Sequence, residues 1–373
     1  MPQTQAAPAI PFAVASQYST RPSFDLPTAT LQAAAPTQVS PVQIPAVGYL
    51  QGLLLEVTLV GTGGTAPVFN ADSPWNVIQS INFRNASGVN LIAPVTGYDL
   101  FLINKYGGQS APGFGPYAQP DFGFNYVETP GVAPQAHFFL WLPLGIDVSD
   151  AYGVIPALAS NANYQMEITL AAISTVLTGA PTVTVAVSAT AHYFDLPAAT
   201  NQAGVGQATA PDAIGTTSVW QKETPTVSPG SQLVQSFNVG NVIRNHIITL
   251  RNSAGARIDT NGWPALLELY LDNQPRFSLS KAEHEYLMAR WYGLGATTKD
   301  VVNGLDTGVY VVPFHALLGS ASGDPANTRA QLLPTLNATL LQYRFQDFGS
   351  AASRVEIMTE AVTTTDAAAL YSK

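Results

Sequence analysis

Ile81–Gly88 reads Ile-Asn-Phe-Arg-Asn-Ala-Ser-Gly, and 167 residues later Ile248–Gly255 reads Ile-Thr-Leu-Arg-Asn-Ser-Ala-Gly. Both stretches alternate apolar and polar side chains, which sets Ile81 and Phe83, or Ile248 and Leu250, on one face of a strand. Both then run into Arg-Asn-x-x-Gly, the composition of a tight turn. Val77-Ile78 precedes the first copy and Val242-Ile243 the second. A strand and turn repeated in this way predicts two similar halves, each built on half-buried sheets.

Four further cues recur in the same order. Thr96-Gly97-Tyr98-Asp99 and Ser280-Lys281-Ala282-Glu283 each put a hydroxyl at a helix N-cap and a carboxylate three residues on, the pattern of a capping box. Both helices are expected to end at Tyr-Gly, with Gly107 and Gly293 in the left-handed C′ conformation. An apolar run then reaches a proline, Phe138–Pro143 against Val309–Pro313. Alternating strands follow at Tyr164–Leu170 and Leu336–Tyr343, and last come Val183–Val187 and Arg354–Met358. The order predicts tandem duplication. On this alignment Gly255–Ser280 is about 17 residues longer than Gly88–Thr96, so the halves should carry different decoration.

A chain of 373 residues suits two domains, each large enough to bury roughly two-thirds of its unfolded surface. Charged residues make up 10 % of it, against about 25 % in an ordinary soluble domain, so much of the surface is expected to face other protein. The net charge is −9, and residues 1–200 hold three basic side chains (Arg21, Arg84, Lys105) against ten acids. Without clustered Lys and Arg there is no means of releasing counterions from a nucleic acid, and no direct nucleic-acid binding is expected. The absence of cysteine excludes disulfides and thiolate metal sites.

Residues 1–45, rich in Pro, Ala, Gln and Thr, lack the periodicity of a core element and predict an extended N-terminal arm, dispensable for the fold of the barrels. Ala13-Val14-Ala15 has the small residues of a cleavage site, but Pro8 and Pro11 break the preceding run and no base precedes it, so no secretory signal is expected. Strand pattern begins at Leu53–Leu59. The first barrel is placed at 46–197, a connecting segment at 198–230, the second barrel at 231–366 and a tail at 367–373. Ile168–Ala191 is uncharged, but Thr178-Gly179-Ala180-Pro181 interrupts it and Thr182–Val187 alternates, which predicts a hairpin and not a membrane span. Turns are expected at Gly61–Gly64, Asn85–Gly88, Asn252–Gly255, Asn261-Gly262 and Asp272-Asn273. Gly107–Pro134 carries Phe114, Tyr117, Phe122, Phe124 and Tyr126 among Gly and Pro, which suits either a subunit contact or a cover for its own barrel.

No pattern of catalysis emerges. The histidines His137, His192, His246, His284 and His315 never pair at ligand spacing, and Glu283–Met288 lacks the second His of a helical zinc site, so His284 is expected to be a solvated helix residue. Gly61-Thr62-Gly63-Gly64-Thr65-Ala66 matches a dinucleotide fingerprint, yet Pro67 and Phe69 stand where a helix should open, so it is expected to be a turn. Glu56, Glu167, Glu268 and Glu356 are single acids on separate strands. Trp141, Trp263 and Trp291 could form a sugar platform, though buried anchors are the commoner use. Asn85-Ala86-Ser87 and Asn337-Ala338-Thr339 are sequons with no secretory route and are expected to be turn and strand residues. No catalytic, cofactor-binding or metal-ligating residue is assigned.

The arm, two tandem all-β halves with one helix each, long Gly/Pro-rich loops and scarce charge resemble the double jelly-roll major capsid proteins of tailless icosahedral, membrane-containing bacteriophages, the tectivirus-like group. The resemblance spans residues 46–366 and rests on architecture, since that family has no short diagnostic motif. It implies an all-β fold of two tandem jelly-roll β-barrels, each with a short flanking helix. It implies a structural protein and not an enzyme: a pseudo-hexagonal homotrimer in a virion shell, assembled in the host cytoplasm and needing no cofactor. Its partners would be neighbouring capsomers, penton and minor capsid proteins, with the termini toward an internal viral membrane. The alternative is a tandem jelly-roll carbohydrate-binding or adhesin protein; a glycosidase is a third.

Overall fold

The computed structural model describes residues 10–12, 14–63, 67–70, 72–107, 125–127, 135–146, 151–158, 164–179, 181–211, 216–258, 263–292, 308–314 and 332–363; for 14–15, 125–127 and 289–292 only the backbone. The first half builds β1 (Tyr18–Asp25), β2 (Gly48–Thr62), β3 (Ile78–Arg84), β4 (Asn90–Val95), helix α1 (Gly97–Tyr106), β5 (Gln135–Pro143), β6 (Gln165–Leu170) and β7 (Thr182–Phe194). The second builds β8 (Thr217–Glu223), β9 (Leu233–Phe237), β10 (Val242–Arg251), β11 (Leu266–Leu271), β12 (Gln274–Leu279), helix α2 (Lys281–Tyr292), β13 (Val309–Pro313), β14 (Leu341–Gln346) and β15 (Arg354–Thr363). Alternation sets the faces. Leu53, Leu55, Val57 and Leu59 of β2 point into the first barrel with Val183, Val185 and Val187 of β7, while Glu56 and Thr58 stay outside.

The two halves have the same sheet order. One sheet of the first barrel runs β1-β7-β2-β5, and its counterpart in the second runs β8-β15-β10-β13. The opposing sheet runs from the short strands 37–38 and 42–43 through β6-β3-β4, and its counterpart runs β9-β14-β11-β12. In each half the last strand lies between two of the earliest, so closing the barrel wraps both sheets round one core. The tandem duplication is therefore seen in topology, and four of the five sequence cues fall on equivalent elements: the two helices, β5 and β13, β6 and β14, β7 and β15.

The fifth cue, the strand and turn at Ile81 and Ile248, does not. Ile81 lies on β3, whose counterpart is β11, whereas Ile248 lies on β10, whose counterpart is β2. The resemblance is local chemistry. In both turns the asparagine side chain accepts two backbone amides, Ser87 and Val89 at Asn85 and Ala254 and Ala256 at Asn252, and glycine takes positive φ, +79° at Gly88 and +82° at Gly255. The same turn forms a third time at Asn201, which binds the amides of Ala203 and Val205 with Gly204 at φ +74°, outside either barrel sheet. Asn-x-x-Gly folds itself wherever it stands, so it cannot report descent. The apparent 17-residue excess vanishes with that alignment, for the stretch from β2 to α1 is slightly longer than that from β10 to α2.

Other expectations change as well. Tyr18–Asp25 does not stand apart as an arm: β1 pairs antiparallel along β7 from Tyr18↔Phe194 to Asp25↔Ser188, and Leu31 and Ile44 are buried in the first core. The sequence hid this because the pairing is made by backbone, which carries no side-chain periodicity. Likewise β8 comes from the stretch assigned to the connection, yet it is the second barrel's counterpart of β1. Ile168–Ala191 is not a hairpin, since β6 and β7 belong to opposite sheets with a turn of helix (Ile173–Val176) between them. No helix among the described residues is long and apolar enough to cross a membrane. The expected turn at Asp272-Asn273 forms, with φ of 51° and 62°, as a two-residue hairpin between β11 and β12.

Removing residues 1–45 is therefore expected to destabilise the chain. Burying Leu31 and Ile44 contributes on the order of 1.5–3 kcal/mol each, and a loss of that size should lower the melting temperature by roughly 10 °C. Differential scanning calorimetry of the truncated chain checks this; an unchanged melting temperature would show that these segments contribute nothing to the barrel.

Candidate functional site

Helix α1 begins with the capping box that the sequence indicated: the Asp99 amide donates to Thr96 Oγ1 (3.0 Å), and the Thr96 amide donates to Asp99 Oδ2 (2.8 Å). Its other end departs from expectation, because Gly107 has φ −70° and is not left-handed. Glycine is needed there for space, since a Cβ would sit 2.4 Å from the Ile103 carbonyl oxygen and 3.4 Å from the Trp220 ring. Trp220 belongs to the second barrel. Apart from half-buried Asn104, every residue of α1 is buried, because the first barrel covers one side of the helix and the β8-β15-β10 face of the second covers the other.

The second barrel holds this helix by both ends. At the N-terminus Lys222 Nζ lies 2.6 Å from Asp99 Oδ2 and 3.3 Å from Glu356 Oε2. At the C-terminus, where the helix dipole is negative, Arg244 donates to the Gly107 carbonyl and Asn245 Nδ2 to the Tyr106 carbonyl (2.9 Å). Further pairs tie the ends together. Arg251 reaches Glu356 (2.9 Å) and Asp72 (2.6 Å), Arg257 reaches Asp72 (2.5 Å) under the Tyr98 ring, and Arg354 reaches Glu356 (2.9 Å). Glu360 accepts from Arg244 through both oxygens (3.0 Å) and from Ser218 (3.2 Å). Beside the helix, Trp220 of β8 bridges Ile92 of β4 in parallel, joining one sheet of each barrel into a ten-stranded sheet.

Burial alone would push the Asp99 carboxyl up, but Lys222, the Thr96 amide and Arg251 outweigh it and hold the carboxyl below its ordinary range. Burial likewise opposes the Lys222 charge, and Asp99 and Glu356 reverse that, so its pKa is raised. Both groups are charged in the folded chain. Five of the fifteen basic residues (Lys222, Arg244, Arg251, Arg257, Arg354) sit in this seam, so a chain poor in charge spends a third of its cations between its own barrels.

The side chains singled out in the sequence are dispersed. Glu56 meets His137 (2.8 Å) on the outer face of the first barrel, Glu167 pairs with Arg84, and Glu268 accepts from Gln346 (2.6 Å). Glu356, which reads as an isolated strand acid, is instead central to the seam. His284 is fully buried and not solvated; its Nε2 is 2.8 Å from the Val311 carbonyl, and its ring packs on Trp263 and Tyr310. Trp263 stacks on Tyr310 at 3.6 Å and Trp141 packs edge-on against His192, so neither offers an open platform. Gly61 and Thr62 end β2 paired with Val183 and Thr182. His315, the Trp291 side chain, residues 64–66 and nearly all of Gly107–Pro134 lie outside the described residues. Among those described, no group of three or more His, Asp or Glu is placed to hold a metal ion. Sequence reasoning found Asp99 as a cap but missed its partners, because Lys222, Arg244 and Glu356 lie far along the chain with no spacing that links them.

No family model matches the chain, and no curated protein does. Solved structures do. The crystal structure of the STIV major capsid protein aligns with a TM-score of 0.62 at 13 % identity, covering 93 % of this chain and 97 % of that one. The PBCV-1 virus capsid protein aligns at 0.59 and 11 % identity, covering 92 % and 93 %. The major capsid protein of bacteriophage PM2 aligns at 0.52 and 12 %, covering 94 % and 98 %. The fold is the double jelly roll. At these identities the likeness is one of fold, and it spans nearly the whole of each chain.

Two measurements test the energetics. Lys222→Met should leave the buried Asp99 without its nearest cation and cost about 3–5 kcal/mol, read from denaturant midpoints; a loss below about 1 kcal/mol would put the seam on a par with surface pairs. His246, enclosed by Phe237, Phe314 and Tyr343, has its pKa pushed down by burial to about 3. A depressed histidine gives its full stability above the unfolded value near 6.5 and loses it as pH falls toward 3. Stability should therefore decline from pH 6.5 downward by up to about 1.4 kcal/mol per unit, and His246→Phe should flatten that decline in thermal melts taken between pH 6.5 and 5.

Proposed function

We propose that this chain is the major capsid protein of an icosahedral virus, a structural tile and not an enzyme. The observation that carries the proposal is the repeat of one sheet order in two barrels fixed side by side by a buried seam. One chain then supplies two similar tiles in a set orientation, over nearly the full length of the capsid proteins it matches in fold. A shell tile must meet copies of itself without offering open sheet edges, and wrapping two sheets round each core protects most of them.

On this proposal three chains close into a pseudo-hexagonal trimer, and cyclic closure uses the same pair of surfaces three times. Neighbouring capsomers, penton and minor capsid proteins complete the shell, and the termini face an internal viral membrane. The working location is the virion, after assembly in the host cytoplasm. The two barrels take the stretches 46–197 and 231–366, with β1 and β8 added from the flanking segments. The buried or packed positions of Trp263 and Trp141 weaken the carbohydrate-binding alternative.

Native mass spectrometry of the purified chain at micromolar concentration should show a trimer, and its interface should fall in the obligate class, above about 2,000 Å². Electron microscopy of the same sample should show six-lobed particles. A persistent monomer would remove the shell reading.

A further inference from the structure

The two sheets of the second barrel are not held alike. β8-β15-β10-β13 continues through the Trp220–Ile92 bridge into β4-β3-β6 of the first barrel, and it carries Lys222, Arg244, Arg251 and Glu356 of the seam. The opposing leaf, β9-β14-β11-β12, shares no ladder with another sheet among the described residues. Side-chain packing holds it down, with Leu267, Leu269, Leu341, Tyr343 and Phe345 fully buried.

His246 stands under this leaf. It lies on β10 and is fully buried, and its ring meets Phe237 of β9 (5.0 Å) and Tyr343 of β14 (5.1 Å) on the leaf and Phe314 (5.7 Å) just after β13. Thr359 Oγ1 of β15 lies 3.2 Å from Nδ1, whereas Nε2 has no hydrogen-bond partner among the described residues. The neighbouring Tyr343 hydroxyl is likewise buried without one. A neutral imidazole donates once, but an imidazolium must donate from both nitrogens and would put a charge among apolar rings. The first barrel has nothing comparable at this level. Gly52 and Asn245 each lie opposite the proline that ends β5 or β13, which equates His246, opposite Val312 and Thr359, with Leu53, opposite Leu142 and Ala191. All three of those first-barrel positions are buried and apolar.

We infer that the four-stranded sheet is an acid-released leaf: protonation of His246 lifts β9-β14-β11-β12 off β8-β15-β10-β13, while the first barrel stays closed and the seam stays intact. The direction follows from linkage. Burial holds the folded His246 at about 3, against about 6.5 once solvated, so acid favours the state that exposes the ring. Among the described residues no charged group faces it. Arg244 and Glu360, on the same strands, pair with each other in the seam, and Tyr343 is kept neutral because burial pushes its hydroxyl up. Two other carboxyls bear on the outcome, and neither drives the opening. Glu223 accepts from Gln235 of β9, but burial pushes its carboxyl up, so its protonation favours the closed leaf as pH falls. Asp99 sits below its ordinary range, so its pair with Lys222 keeps its charges in mild acid.

Hydrogen–deuterium exchange of the full chain at pH 7.5 and pH 5, corrected for the intrinsic pH dependence of exchange, tests this. Uptake of one proton on opening should raise the opening equilibrium of the leaf about 30-fold between these conditions, read on the amides of β11 and β14. The amides of β2 and β7 should keep their protection. His246→Leu, which installs the residue of the first barrel, should remove the pH dependence at the leaf; His246→Phe serves the same purpose if the leucine variant does not fold. The comparison of the two barrels in the unmodified chain decides the matter whether or not either variant folds. Equal loss of protection in both barrels would overturn the inference, because His246 would then report only on global unfolding. A leaf whose protection is unchanged at pH 5, or still falls there in a folded His246 variant, would overturn it as well.

Discussion

Everything about the arrangement of the barrels depends on one helix being held at both ends. A helix offers four unsatisfied amides at its start and four unsatisfied carbonyls at its end. In α1 the amides of Asp99 and of the cap residue Thr96 are met from within by the Thr96 and Asp99 side chains, and the carbonyls of Tyr106 and Gly107 are met from outside by Asn245 and Arg244. Asp99 in turn binds Lys222. The second barrel therefore reads the position of the helix along its axis at two points, Asp99 and Tyr106–Gly107, about 11 Å apart at 1.5 Å per residue. A slide or a tilt would unmake charged contacts at one end or the other.

Buried ion pairs are a costly way to gain net stability, because the desolvation of each charge offsets most of the attraction. What they do provide is a large penalty for misplacement, since a displaced pair strands a charge in a dry site. The interior of each barrel behaves differently. Leu53, Leu55, Val57 and Val185 would tolerate small shifts in their partners, whereas Glu356 with Lys222, Arg251 and Arg354 around it would not. An apolar core closes each barrel, and the charged seam fixes the angle between them.

The sequence made legible what is local or periodic. Capping at Thr96 and Ser280, the hairpin turn at Asp272-Asn273, the alternation of β2 and the all-β class could all be read from neighbouring residues, because the forces involved act over a few positions. Pairings carried by backbone alone were not legible: β1 along β7, and β8 beside β15, contain prolines, exposed residues or too few apolar positions to announce themselves. The misleading case is the most informative. Asn85 and Asn252 have the same neighbours because an asparagine that binds the amides two and four residues on makes its own turn, and Asn201 makes it again in a segment that belongs to neither barrel sheet. The seam was illegible for the opposite reason. It joins Asp72, Asp99, Lys222, Arg244 and Glu356, and only the finished fold brings them together.

Topology also orders the events of folding. In each barrel the last strand lies between strands formed much earlier, β7 between β1 and β2, and β15 between β8 and β10. Such pairings are distant in sequence, and the entropy of closing the intervening chain must be lost before they form, which makes them slow. Glu356 and Glu360 both lie on β15, the last strand of all. Lys222 and Arg244 consequently lack their carboxylate partners on that strand until the second barrel is complete, and α1 lacks its outer cover until then. The part of the seam built on Glu356 and Glu360 can form only once β15 is in place. Helix α2 is anchored through His284 to β13, which itself pairs with β10 beside β15, so it too is seated late. A chain whose second barrel is unfinished has neither a fixed angle between its barrels nor a seated second helix.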